Sequence, residues 1–111
     1  MGFSRAVIAG GHVYVSGTAP VMPDGADPPD DAYAQTQRCL EIILDALEQA
    51  GARAEDVVRT RVFVTSADVL EDVARAHSEV FREIRPANTT VVTQLLDPRW
   101  HVEIEAEAVL P

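Results

Sequence analysis

The chain contains no lysine: its nine basic side chains are all arginine, set against 18 acidic ones for a formal charge of −9 over 111 residues. The missing amine excludes Schiff-base chemistry by a lysine. The acidic balance argues against the clustered cations that phosphate neutralisation requires, so nucleic acid is not expected as a partner. A single cysteine, Cys39, excludes an internal disulfide. No apolar run approaches the roughly 20 residues of a membrane span, so no membrane partner is expected. The N-terminal segment has one cation, Arg5, and its apolar residues are broken by Gly10, Gly11 and His12, so it does not read as a secretory leader and a cytoplasmic address is expected. His12, His77 and His101 lack metal-ligand spacing, which leaves no metal site to expect. Neither Gly10-Gly11 nor Ser16-Gly17 opens a helix, so neither makes a phosphate loop.

What is present is periodicity. From Val102 to Ala108 apolar residues alternate without a break against Glu103, Glu105 and Glu107, the pattern of a strand with one buried face. Three carboxylates about 6–7 Å apart along one strand cannot all enter a dry core, so their face is wet or shared with another subunit. The run Asn88 to Leu96 is half polar on both parities, which predicts a strand covered on both sides, joined through Asp97-Pro98-Arg99-Trp100 into an antiparallel hairpin with 102–109. Phe3–Ala9 and His12–Thr18 read as two strands around Gly10-Gly11. Residues 20–31, rich in proline and aspartate, read as a solvated connection or a lid over a site.

Asp30 or Asp31 can cap a helix with Leu40, Ile43, Leu44 and Leu47 at i, i+3, i+4, i+7, ended by Gly51. Cys39 beside that stripe reads as a small buried hydrophobe. Val57–Thr65 is the next strand, with Val58, Val62 and Val64 on one face and Arg59, Arg61 and Phe63 on the other. A second helix, capped at Thr65 or Ser66, carries Leu70, Val73, Ala74, His77, Val80, Phe81 and Ile84 on one stripe and stops before Pro86. His77 there reads as a core histidine. These elements make one α+β domain over residues 1–111: a mixed sheet with both helices on one face and the other face bare, a surface that association would cover. Composition and pattern alone stop at an oligomeric domain with a glutamate-lined surface.

The segment Val13-Tyr14-Val15-Ser16-Gly17-Thr18-Ala19-Pro20 resembles part of a known family, the RidA/YjgF/YER057c/UK114 proteins. So do the helix opening Ala34-Gln35-Thr36 and closing Ala50-Gly51-Ala52, the strand Val62-Phe63-Val64, Arg85-Pro86-Ala87 and Val102-Glu103-Ile104-Glu105-Ala106. The resemblance implies a chorismate-mutase-like two-layer fold assembled as a homotrimer, its sheets forming a central barrel with clefts between subunits. It implies hydrolysis of reactive imines and enamines without a cofactor; for some relatives it implies endoribonuclease activity, which the acidic charge opposes. Carried over residue by residue, Glu103 stands at the water-positioning glutamate and Ser16 and Gly17 at the pocket turn. Asn88 stands where the family has its carboxylate-binding arginine, Thr90 at its cysteine and Phe3 at its tyrosine. An amide offers only neutral donors where a guanidinium offers two charge-assisted ones. Arg61 is then either the replacement cation or the ion-pair partner of the glutamate row. Glu103, between an apolar wall and Glu105, is expected to have a raised pKa suited to acid/base work, or else to anchor a trimer contact.

Overall fold

The computed structural model describes residues 1–111, which form one five-stranded sheet with two helices on one side. Strand β1 (Ala6–Ala9) turns back through Gly10 and Gly11, at φ 57 and 78, into β2 (His12–Thr18). Two successive positive φ angles are what a two-residue turn matched to strand twist needs, and glycine reaches them without strain. Helix α1 (Ala32–Gln49) starts at Asp31, whose carboxylate accepts the Ala34 N–H at 2.6 Å. It ends where Gly51, at φ 88, lets its own N–H reach Glu48 O and the Ala52 N–H reach Leu47 O, satisfying two carbonyls that the helix leaves open.

Strand β3 (Val57–Val64), helix α2 (Leu70–Phe81), β4 (Ala87–Val92) and β5 (Val102–Val109) complete the chain. The strand order is β1-β2-β5-β3-β4. The expected hairpin between residues 88–96 and 102–109 does not form. Instead β4 pairs in parallel with β3, Thr60 opposite Asn88, at the sheet edge, while β5 inserts antiparallel between β2 and β3. A helix connecting two strands returns the chain in the original direction, so β3-α2-β4 is a parallel unit. The loop after β4 then carries the chain back across the sheet to its centre. Coverage of β4 on both sides also fails: all six of its residues are exposed. As the last strand it has no neighbour beyond it within the chain, and α2 reaches it only across a small cavity beside Asn88 and Thr90.

The core lies between the helices and the sheet. Leu40, Ile43 and Leu47 of α1 meet Val13, Val102, Ile104 and Ala108, each no more than 2% exposed. Burial of aliphatic side chains of this size stabilises by roughly 1.5–3 kcal/mol apiece. Two side-chain assignments change. A bulge pairs Val57 with Ala108 and Arg59 with Glu107, so Val57 is buried while Val58 is 45% exposed, off the face of Val62 and Val64. The buried stripe of α2 is Val73, Ala76 and Phe81; Leu70 and Ala74 turn toward the uncovered edge above β4. No helix is long and apolar enough to cross a membrane. The other sheet face carries His12, Tyr14, Arg61, Phe63 and the three glutamates of β5, with no layer over it.

Candidate functional site

Asn88, Thr90, Glu103, Ser16 and Gly17 are expected to converge on a cleft between subunits, with Phe3 and Arg61 as further candidates; within one chain they are divided between the two faces of the sheet. Asn88 and Thr90 lie in register with Thr60 and Val62, on the helix side. There they line a cavity of about 120 Å³ with Val62, Leu70, Val73, Ala74 and His77. The Asn88 amide donates to Thr60 Oγ1 at 3.0 Å and to Thr60 O at 3.3 Å, and its Oδ1 accepts the Thr90 hydroxyl at 2.8 Å. Thr60 Oγ1 also meets His77 Nε2 at 3.0 Å, and burial holds the His77 pKa below its ordinary value. The Asn88 amide nitrogen thus makes both of its contacts within the protein to Thr60. His77 is half-buried with its ring tilted against Phe81, centroids 4.7 Å apart, as expected of a core histidine, but it belongs to this polar network as well.

Glu103 pairs with Phe63 on the opposite, open face. Its carboxylate lies directly over Gly17, where a Cβ would run into Oε2. Glu105 and Glu107 each accept a hydrogen bond from Arg61 at 3.0 Å, whereas Glu103 accepts none from the chain. Desolvation raises the Glu103 pKa, the charge of Glu105 adds to it, and the guanidinium of Arg5 opposes both. Behind this site the Cys39 thiol is fully buried and pushed up to about 12, first by desolvation and then by the Glu103 charge, which leaves it inert. No group of His, Cys, Asp and Glu side chains is arranged to hold a metal ion.

Of its two readings, Arg61 shows the ion pair: it is bound to Glu105 and Glu107, whose hydrogen bonds raise its pKa. Ser16 is engaged at both ends: its N–H donates to Arg5 O at 3.0 Å and its hydroxyl to Ser4 O at 2.6 Å. It holds the segment before β1 in place, and Phe3, next to that tether, is 64% exposed. Beside this turn lies Arg5, whose place no local sequence pattern displays. With Ala6 opposite Val15, the hairpin register sets Arg5 beside Ser16, and its Nη1 donates to Thr18 Oγ1 at 2.6 Å. The Gly10-Gly11 turn was visible in the sequence; counting back from it through four pairs reaches Arg5.

Residues 20–31 do not form a free lid. The side chain of Gln35, fully buried, donates to Pro29 O at 2.7 Å and Arg99 O at 2.9 Å and accepts the His101 N–H at 2.7 Å. His101 Nε2 reaches Asp30 O at 3.0 Å, and Arg99 pairs with Asp27 and Asp97. The segment is bolted to the β4–β5 connection.

Gly17 offers a direct test of how tightly the carboxylate is seated. In Gly17→Ala the obstructing group is the tip of one flexible side chain, so the melting temperature should stay within a few degrees of wild type, consistent with a change of about 1 kcal/mol or less. Any Glu103-dependent activity should fall at least about tenfold as the carboxylate is displaced. Equal activity in the two proteins would show that the position of Oε2 is immaterial.

Residues 1–110 match the family model described as endoribonuclease L-PSP. An uncharacterised protein of Streptomyces coelicolor is 38% identical over 108 residues, spanning 96% of this chain and 81% of its own length. The crystal structure of a Mycobacterium tuberculosis member of the YjgF/YER057c/UK114 family is 44% identical, superposes with a TM-score of 0.88, and is matched over 98% of this chain and 87% of that one. TdcF of Escherichia coli, solved with bound serine, is 27% identical with a TM-score of 0.90, over 98% of this chain and 88% of that one. The two-layer fold, the match along nearly the whole chain and the Glu103-Ile104-Glu105-Ala106 strand agree: the chain belongs to the RidA/YjgF/YER057c/UK114 family, the group described as endoribonuclease L-PSP.

Proposed function

We propose that the chain hydrolyses small imines or enamines, with water positioned by Glu103, in a cleft completed by a second copy of the chain in a homotrimer. The observation that carries this reading is the Glu103 carboxylate, half-buried, raised in pKa and free of hydrogen bonds from the chain. Such a group can take a proton from water as the oxygen adds to the C=N carbon. The nitrogen receives a proton in the resulting carbinolamine, which expels ammonia and leaves a carbonyl, so one water is consumed for each C=N bond cleaved. A raised pKa improves the acceptor toward neutral pH while leaving enough of it ionised.

Assembly is argued from the division of the candidate residues. Asn88 and Thr90 lie on the helix side of an exposed edge strand, and Glu103 lies on the bare side of the same sheet, so one protomer cannot bring them together. Val91, Val92, Leu96 and Tyr14 are exposed apolar groups that association would cover. A net charge of −9 weighs against RNA as the substrate. To test the reading, 2-iminopropionate is generated in situ and pyruvate release is followed with and without the protein, whose mass is read by light scattering. Accelerated release by a trimer is expected; a rate equal to buffer alone, or a monomer that is fully active, rejects it.

A second reading, a non-catalytic trimer that binds a small metabolite, is favoured by one observation: the Asn88 amide already donates to Thr60 inside the protein. The relative with bound serine makes small amino and keto acids the first ligands to try. Under this reading they raise the melting temperature and no turnover accompanies binding.

A further inference from the structure

We propose that the groove between β1 and α1 binds a small aliphatic amino acid as its zwitterion, with the carboxylate on Arg5 and the ammonium on Asp45. The groove lies on the helix side of the sheet, and its occupation does not depend on the hydrolase reading. One wall is built by helical spacing: Ile42, Asp45, Ala46, Gln49 and Ala50 fall at i, i+3, i+4, i+7 and i+8, on one face of α1. The facing wall comes from strand parity. Ala6 stands opposite Val15 and Ile8 opposite Val13, both buried, so these two side chains of β1 point toward the helices. As the edge strand, β1 is not fully covered by α1, and Ile8 is 55% exposed. The space left between them is about 350 Å³, toward the lower end of what small-molecule sites occupy.

Opposite charges face this space without meeting. Arg5 and Asp45 both line it, yet neither belongs to any ion pair of the chain. Arg5 is kept from folding over toward Asp45 by Nη1, which donates to Thr18 Oγ1 at 2.6 Å and lies 3.3 Å from Gly17 O and 3.4 Å from Ser16 O. Thr18 is fully buried and gives its own hydrogen to Ser16 O at 2.8 Å, so the anchor itself is fixed. Nε and Nη2 donate to no group of the chain, which leaves one edge of the guanidinium for a carboxylate. Asp45 is steadied from one turn further along the helix: Gln49 Nε2 donates to Oδ2 at 2.9 Å, and Oδ1 stays free to accept from an ammonium. The rest of the lining is aliphatic, so a ligand with charges alone would leave it wet, whereas an aliphatic side chain would cover Ile8 and Ile42. Net charge favours the same class. A chain at −9 repels a simple anion, but a zwitterion carries no net charge and meets only the local pair.

The test titrates L-leucine into 15N-labelled protein and follows the amides of residues 42–50. Two analogues of the same shape carry one charge each: 4-methylpentanoate lacks the ammonium and 3-methylbutan-1-amine lacks the carboxylate. In wild type the amides of Asp45, Ala46, Gln49 and Ala50 should shift saturably with leucine, and each analogue should bind at least about tenfold more weakly. Arg5→Gln and Asp45→Asn should each weaken leucine at least about tenfold. Asp45→Asn should not weaken 4-methylpentanoate, and Arg5→Gln should not weaken 3-methylbutan-1-amine. Arg82→Gln, which removes a positive charge beyond α2, should leave leucine binding as it is. Asp45→Asn keeps the shape of an exposed side chain, so it decides the question even if the loss of Arg5 loosens the turn it holds. No saturable shift in wild type, equal leucine affinity in wild type and Asp45→Asn, or shifts confined to Gly17 and residues 102–104 would each overturn the assignment.

Discussion

Gln35→Leu should lower the melting temperature by more than about 10 °C, the largest loss of stability expected from a single side chain here. The side chain is fully buried and makes three short hydrogen bonds, to Pro29 O, Arg99 O and the His101 N–H. Leucine fills nearly the same volume but returns none of them, and each backbone group left unpaired costs about 1–3 kcal/mol. Two or three such losses approach the whole stability of a domain of this size, about 5–15 kcal/mol. The neighbouring Arg99–Asp27 pair also joins the two loops, but both side chains are more than half exposed, so Asp27→Ala should change stability by under about 1 kcal/mol. Thermal melts of the two variants side by side decide the matter: similar midpoints would mean that the salt bridge, and not the buried amide, fastens residues 20–31.

Glu103→Gln should act in opposite directions on catalysis and stability. Removing the proton acceptor while keeping its shape should cost imine hydrolysis about 10²–10⁴-fold. The sign of the stability effect follows from the raised pKa. A carboxyl group whose folded-state pKa lies above its unfolded value contributes stability that is complete below the ordinary glutamate range and is lost as pH rises through the folded value. At neutral pH the native carboxylate is therefore the less comfortable form, and the glutamine variant should melt higher. Below the ordinary glutamate range the two proteins should melt together. Melts at pH 4 and pH 7, run with the hydrolysis assay, check both halves. A glutamine variant less stable at pH 7 would mean that the charge of Glu103 is held by a favourable contact, in the manner of a structural anchor.

The sequence showed most where one residue's neighbours suffice. The unbroken alternation of 102–108, the apolar stripe of 40–47 with its glycine stop, and the Gly10-Gly11 turn are local patterns, and each element stands where its pattern put it. What it concealed depends on partners far along the chain. Nothing in Asn88 to Leu96 says that its neighbour is β3 and not the strand that follows, because the choice is made by α2 lying between them. The bulge at Val58 shifts one residue in a strand whose spacing reads regular. Arg61 offered two readings, and the structure shows its ion pairs with Glu105 and Glu107, which depend on the register of β3 against β5. The setting of Arg5 was not legible because it comes from the hairpin register carried beyond the ends of the paired strands.

The cluster of Asn88, Thr90, Thr60 and His77 has a bearing on what each position tolerates. An arginine at position 88 would take the acceptor from the Thr90 hydroxyl, crowd the threonine that touches His77 and bring a cation toward a ring whose pKa burial already lowers. Four side chains on three elements share one run of hydrogen bonds, so exchanging any one of them alone strips a neighbour of its partner.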